Sequence, residues 1–185
     1  SLSSDALKSL SSSQIKAFSS QALAGLSSAQ IGSMSSVQIT AMTTDQIWSL
    51  STAQDLGLSP LVVPALTWQQ IFAFQYLNTD QMAAITSQQI TSIPVEVFPK
   101  ISSWKNLNEK QIGSFTTGQA AAITSSALSS LGSSQLGAIS TADIAVVNSA
   151  ALGALQTDQI QGLRSDQIAA ITTAQIRYLT SSVLN

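Results

Sequence analysis

The chain has 185 residues, of which 44% are apolar and only 9% are charged, and its formal net charge is −2. This composition predicts a folded protein, and it excludes the extended basic surface that a nucleic-acid partner would require. The sequence contains no cysteine and no histidine, which removes disulfides, Cys/His zinc sites and mechanisms that use a thiol or an imidazole. No apolar run approaches the roughly 20 residues of a membrane span, so we expect a soluble segment without membrane insertion.

An eight-residue repeat, or octad, organises the sequence from its first residues onward. One large apolar residue recurs every eight positions and forms the first apolar column, which begins with Leu2, Leu10, Phe18, Leu26, Met34, Met42, Leu50 and Leu58. A second apolar residue follows five positions after each of these and forms the second apolar column, which begins with Leu7, Ile15, Leu23, Ile31, Ile39 and Ile47. Eight residues of a continuous α-helix would turn through about 800° and rotate each octad by about 80° from the last. One long helix is therefore excluded.

The polar residues between the two columns have the pattern of a helix start. In the octad that runs from Leu26, Ser27 takes the N-cap position and Gln30 the third helical position, which is the arrangement of a capping box. Leu26 and Ile31 then occupy the two positions of a hydrophobic staple. Because helices this short are unstable alone, they must stack on one another. The sequence thus predicts an all-α solenoid of capped helices of about six or seven residues, one per octad, and a β-solenoid that turns once per octad is the alternative.

Charged residues and one proline fit this helical register. Six carboxylates fall in the predicted first helical turn, where they favour the positive end of the helix dipole: Asp5, Asp45, Asp80, Glu96, Asp158 and Asp166. Three basic residues fall toward the predicted C-terminal ends: Lys8, Lys16 and Arg177. Pro60 follows Ser59 and would take the first helical position, which tolerates proline.

Single residues depart from the octad in two ways. Asp55 stands where the second column calls for Ile, and we expect Leu56 to take over the apolar site. Gln156 and Arg164 stand where other octads have Ser or Thr as the N-cap. We therefore expect these two caps to be weak.

The octad register shifts twice in the middle of the chain. Leu77 follows Phe74 by only three positions where eight are expected, and Leu107 follows Ile101 by six. Proline and aromatic residues are concentrated around these shifts. The sequence predicts one continuous solenoid in three parts. Residues 1–65 form a first regular octad array, 66–107 form an irregular junction with aromatic residues and proline, and 108–185 form a second regular octad array.

The junction contains the candidate binding residues. Trp68, Phe72 and Tyr76 are four positions apart, so on a longer helix they would share one face and form a platform for a peptide or a glycan. Trp104 completes this candidate patch, and core filling at the register shift is the alternative. The sequence has no paired-carboxylate motif, calcium loop or glycine-rich phosphate loop, so we expect no enzyme activity, no cofactor and no metal site. The second hydroxyl of each Ser/Thr pair leaves an ice-binding face as a third possibility.

The repeat resembles the octapeptide tracts of very large bacterial secreted or surface proteins, many of them adhesin-like. The resemblance rests on arrays such as Ile171 to Ile176, with variants such as Ile93 to Phe98, and it covers almost the whole chain. It implies a spacer, stalk or scaffold outside the bacterial cytoplasm, whose partners are flanking domains of the same long chain. Peptide or glycan binding is the second functional hypothesis, and the oligomeric state stays open.

Overall fold

A computed structural model describes residues 2–101 and 104–179, and of Trp104 it describes the backbone alone. The described residues form 19 α-helices of four to six residues: Ser4–Lys8, Ser12–Lys16, Ser20–Ala24, Ser28–Gly32, Ser36–Ala41, Thr44–Trp48, Thr52–Gly57, Trp68–Ala73, Thr79–Ala83, Ser87–Thr91, Glu109–Ile112, Thr117–Ala121, Ser125–Ser129, Ser133–Ala138, Thr141–Val146, Ser149–Leu152, Thr157–Gln161, Ser165–Ala170 and Thr173–Ile176. Three 3-10 helices, Pro60–Ala65, Phe98–Lys100 and Trp104–Asn106, complete the described part. No strand occurs within these ranges, so the β-solenoid alternative is wrong for them.

The capping box that the sequence predicts is present in most octads. At Thr43, the side-chain oxygen accepts from the backbone N–H of Gln46 at 3.2 Å, and the backbone N–H of Thr43 donates to Oε1 of Gln46 at 2.8 Å. Gln156 and Arg164 make no side-chain cap bond, which confirms that these caps are weak. The reason is that neither side chain accepts from the exposed N–H groups of its helix, although the backbone half of the box is kept.

Both apolar columns form the core. In the second column, Ile31, Ile39 and Ile47 have no exposed surface. In the first column, Met42 and Leu58 are 2% exposed. The residues of the two columns therefore pack together as an apolar layer. This packing is what stabilises the helices, because a helix of four to six residues is unstable on its own.

The glutamine that most octads carry has a second role, which its place in the capping box does not predict. Nε2 of Gln38 donates to the carbonyl of Leu7 at 2.8 Å and to that of Leu10 at 2.9 Å, which lie 31 and 28 residues earlier. The same contacts recur in the following octads at Gln46 and Gln54. We call this pair of bonds, from one amide to the carbonyls of a second-column residue and the next first-column residue, the glutamine bridge. The amide and its acceptors occupy different places in the octad, so the length of a turn follows from the helices that pack. Helix Ser12–Lys16 packs against Ser36–Ala41, and Ser28–Gly32 packs against Thr52–Gly57, and in each pair the first residues are 24 positions apart. One regular turn of the solenoid therefore takes 24 residues, or three octads.

The glutamine bridge keeps its place across both register shifts. Gln81 bonds carbonyls 26 and 23 residues earlier, five fewer than elsewhere, and the first shift removes five residues from an octad. Gln119 bonds carbonyls 29 and 26 residues earlier, two fewer than elsewhere, and the second shift removes two. The shortened octads thus change the length of chain in a turn and leave the stacking of turns intact.

The chain divides into two compact units, Ser1–Gln89 and Ile90–Asn185. Within the first, helix Ser28–Gly32 packs against Thr52–Gly57, and within the second, Glu109–Ile112 packs against Ser133–Ala138. The backbones approach closely at such contacts. A Cβ added to Gly57 would lie 2.6 Å from the carbonyl oxygen of Ser28, so this position requires glycine.

Two local expectations have opposite outcomes. Pro60 occupies the first turn of its helix, with the Ser59 side chain as the cap, as predicted, although that helix is a 3-10 helix. Glu96 was expected in a first helical turn, and this is wrong, because residues 95–97 form a turn that leads into the 3-10 helix Phe98–Lys100. Pro94 and Pro99 flank this turn and lack the backbone N–H groups that a regular α-helix would use.

Candidate functional site

The aromatic residues of the predicted patch are only partly brought together. Trp68 and Phe72 lie on helix Trp68–Ala73 with their ring centroids 6.2 Å apart in an edge-to-face arrangement. The helix ends at Ala73, so the longer helix that would place Tyr76 on the same face does not form. Trp104 begins a 3-10 helix of the second unit, and its side chain lies outside the described residues.

The helix ends at Ala73, directly before the first-column residue Phe74, as helix Ser36–Ala41 ends before Met42. Phe74 is the C-cap, has an extended backbone conformation and is buried as a first-column residue. Gln75 and Tyr76 then link Phe74 to Leu77, the next first-column residue, without an intervening helix, because this octad is five residues short. Tyr76 lies in this link and is 55% exposed.

Trp48 is a neighbour of this region that the sequence analysis did not select. Its indole is 62% exposed, and its backbone carbonyl accepts from Nε2 of Gln75 at 3.0 Å. Helix Thr44–Trp48, which it ends, packs against helix Trp68–Ala73. We call the exposed side chains of Trp48, Phe72 and Tyr76 the aromatic surface. The signal in the sequence was the position directly after the second column, which Trp48 and Phe72 share.

Asp55 is the most unusual polar residue of the first unit. Its side chain is fully buried, and Oδ2 accepts from the backbone N–H groups of Gln75 at 3.1 Å and Tyr76 at 3.2 Å. Oδ1 is buried without a hydrogen-bond partner among the described residues. Burial raises the pKa of Asp55 to about 6, and the two N–H bonds limit the rise.

The expectation that Leu56 replaces Asp55 in the core is wrong, because Leu56 is 47% exposed. The physical reason is the shortened octad after Phe74. Its backbone is not helical there, which leaves N–H groups without a helical acceptor, and the Asp55 carboxylate supplies one from the preceding turn. The two irregularities of the sequence, at position 55 and at the first register shift, therefore compensate each other.

Other carboxylates have structural roles. Five of the six that were expected in a first helical turn are found there: Asp5, Asp45, Asp80, Asp158 and Asp166. The hydrogen bonds from the Arg164 guanidinium lower the pKa of Asp166. In the described part of the chain, no three acidic side chains are placed to hold a metal ion, and none of the helices has the length and apolarity to cross a membrane.

These features define the class of the protein: it is an all-helical repeat protein in which very short capped helices stack as a solenoid. The sequence model of the ALTTAQ repeat matches residues 20–52, 136–173 and 144–181, so part of each unit is similar to that repeat. Comparison with curated proteins finds no match.

Proposed function

We propose that this chain is a non-catalytic structural repeat segment, a spacer, stalk or scaffold, of a large bacterial extracellular or surface protein. The observation that supports the proposal most directly is the glutamine bridge. It is kept across both register shifts, so the shortened octads are stacked by the same bonds as the regular octads that carry glutamine. A chain whose repeated glutamines hold one turn on the next is suited to maintaining a distance between its ends.

The chemistry of the side chains supports a non-catalytic role. The sequence has no histidine or cysteine to act as a base or nucleophile near neutral pH. Asp55 has a raised pKa but no exposed surface, so a substrate could not reach it. The hydroxyl groups of the N-cap residues, such as Ser27 and Thr43, are engaged with backbone N–H groups.

Location outside the bacterial cytoplasm rests on the resemblance of the octads to secreted and surface tracts. The absence of cysteine is compatible with this location. The partners in this proposal are flanking domains of the same long chain, and the segment needs no cofactor.

The spacer role predicts how length scales with copy number. The chain would be placed once, or twice in tandem, between two fluorescent domains, with flexible Gly/Ser linkers of equal length as controls. A flexible linker grows only as the square root of its length, so doubling it extends the distance by about 1.4-fold. Stacked turns should extend the distance by close to twofold. The spacer role would be contradicted if doubling the chain extended the distance by no more than doubling the Gly/Ser linker does.

Peptide or glycan binding is a second candidate, and the aromatic surface favours it. Trp48 and Tyr76 expose more than half of their side chains, and aromatic faces of this kind pack against sugars and apolar peptide side chains. Titration with glycan and peptide panels, followed by tryptophan fluorescence, tests it. Tyr76→Ala should abolish a response and Tyr178→Ala, with the same 55% exposure in the other unit, should not. No response to any ligand, or equal loss in both variants, would remove this candidate.

A further inference from the structure

The aromatic surface lies on a stack of short helices in the first unit. Helix Thr44–Trp48 packs against Ser20–Ala24 and against Trp68–Ala73. Trp48 and Phe72 are 24 positions apart, so they occupy equivalent places on neighbouring turns. Because the axes of packed helices lie about 8–10 Å apart, the surface is wide enough to contact more than one side chain of a ligand.

The charged residues of this part of the chain all have the same sign. Residues 17–89 contain no lysine, arginine or histidine, and they contain three carboxylates: Asp45, Asp55 and Asp80. The basic residues of the first unit, Lys8 and Lys16, lie on the first two helices. Asp45 is the single charged residue of the three helices that pack around Trp48. No basic side chain of these helices therefore offsets its charge.

Asp45 is placed beside the most exposed ring of the aromatic surface. It lies three positions before Trp48 on the same helix, a spacing that puts the two side chains on one side of the helix. Asp45 is exposed, and neither of the ion pairs within the described ranges involves it. Asp80, four positions after Tyr76, is also exposed and makes none of these ion pairs. A cation that contacts the Trp48 indole would therefore find an unpaired carboxylate next to it.

Hydrogen bonds hold the link that carries Tyr76 in place. Oδ2 of Asp55 accepts from the backbone N–H groups of Gln75 and Tyr76, at 3.1 and 3.2 Å. Nε2 of Gln75 donates to the backbone carbonyl of Trp48 at 3.0 Å, which ties the link to helix Thr44–Trp48. The backbones that carry Trp48 and Tyr76 are thus joined before any ligand binds, and such preorganisation lowers the cost of binding.

We propose that the aromatic surface binds a basic polypeptide segment, whose Lys or Arg side chains pack on the rings of Trp48 and Tyr76 and pair with Asp45. Aromatic rings attract cations, and tryptophan does so most strongly. A neutral glycan would use the same rings but would gain nothing from the charges of one sign around them. Alternate side chains of an extended peptide are about 7 Å apart, so successive ones reach neighbouring turns. This inference rests on binding by the aromatic surface, the second candidate function, and is independent of the spacer role.

The test is isothermal titration calorimetry of the full chain with three probes near neutral pH. The first is a peptide of alternating Arg and Gly, and the second has citrulline at each Arg, which keeps the shape and removes the charge. The third is a panel of neutral glucose and N-acetylglucosamine oligosaccharides. The variants are Trp48→Ala and Asp45→Asn, with circular dichroism to verify that they are folded. Asp158→Asn is the matched control, because Asp158 is likewise exposed in the first turn of a short helix, in the other unit.

The Arg peptide should bind about tenfold more tightly than the citrulline peptide, and the glycans should bind no better than the latter. Trp48→Ala should weaken binding of the Arg peptide by about three- to tenfold and Asp45→Asn by about threefold, whereas Asp158→Asn should not change it.

Several outcomes would overturn the inference and leave the aromatic surface as a binding site. These are equal binding of the Arg and citrulline peptides, binding of glycans alone, or equal effects of Asp45→Asn and Asp158→Asn. A folded Trp48→Ala variant that binds the Arg peptide like the wild type would overturn it as well. Binding of none of the probes would overturn the inference together with the second candidate function.

Discussion

Gln46→Glu separates the two roles of the octad glutamine. Glutamate has the shape of glutamine, and its carboxylate can still accept from the Thr43 N–H as Oε1 of Gln46 does at 2.8 Å. The other oxygen, however, takes the place of Nε2. That amide donates to the carbonyls of Phe18 at 2.8 Å and of Ile15 and Lys16 at 3.2 Å. The substitution therefore keeps the capping box, but it replaces the donor of the glutamine bridge with an oxygen that faces carbonyl oxygens.

The magnitude follows from these contacts and from burial. Loss of two good neutral hydrogen bonds costs about 1 kcal/mol each. Gln46 is only 4% exposed, so a carboxylate there lies among carbonyl oxygens with little access to water, which adds about 1–3 kcal/mol. We expect Gln46→Glu to lower the free energy of unfolding by about 3–5 kcal/mol at pH 7. Part of the loss should be recovered at lower pH, where a protonated carboxyl can donate again.

Gln14→Glu is the matched control, because Gln14 forms the same capping box but its Nε2 donates to no carbonyl among the described residues. Its cost should stay within about 0.5 kcal/mol. Urea unfolding followed by circular dichroism, at low protein concentration, measures both variants. Equal destabilisation at the two positions, or none at either, would show that the bridge contributes nothing beyond the cap.

Two further predictions concern the first unit. The folded pKa of Asp55 is about 6 against 3.8 for the free side chain, so the folded state takes up a proton between these values that the unfolded state does not. Stability should rise by about 1–3 kcal/mol as pH falls from 7 to 4.5 through this site, and urea titrations of Asp55→Asn should lack that rise. Gly57→Ala should lower the melting temperature, because its Cβ would meet the Ser28 carbonyl oxygen at 2.6 Å, whereas Gly25→Ala, with 3.4 Å to its nearest neighbour, should raise it slightly. Two results would contradict these assignments: an Asp55→Asn variant whose stability rises between pH 7 and 4.5 as much as that of the wild type, or equal changes of melting temperature for Gly57→Ala and Gly25→Ala.

The local structure could be predicted because its causes lie within one octad. Ser27, Gln30 and Ile31 are close in sequence, and the cap and the staple join atoms a few residues apart. The failure at Glu96 has a local cause as well, since Pro94 and Pro99 interrupt the pattern on both sides.

The candidate site could be predicted only in part. Trp68 and Phe72 were placed together correctly because one helix carries both. Tyr76 was misplaced, because helix Trp68–Ala73 ends before Phe74 as the helices of regular octads end before their first-column residues, and Tyr76 lies in the short link that follows. Asp55 could not be interpreted alone, since the groups it binds lie 20 and 21 residues later.

The sequence gives one indication of the glutamine bridge: two octads that lack Ser or Thr at the N-cap still carry the octad glutamine. Gln159 and Gln167 keep the backbone half of the capping box although Gln156 and Arg164 make no side-chain cap, and this contact uses Oε1 of each glutamine and leaves the role of Nε2 open. What they do depends on which carbonyls lie beneath them, and periodicity alone gives no such information.

The order of residues within one octad is enough to specify the unit of this protein, a capped helix with two apolar anchors, because the hydrogen bonds and contacts that define it span no more than eight residues. Three features arise only when the turns pack: three octads per turn, the bridge that holds the turns, and the burial of Asp55. They join residues that are 20 to 31 positions apart, and their pairing follows from how many octads complete one turn of the solenoid.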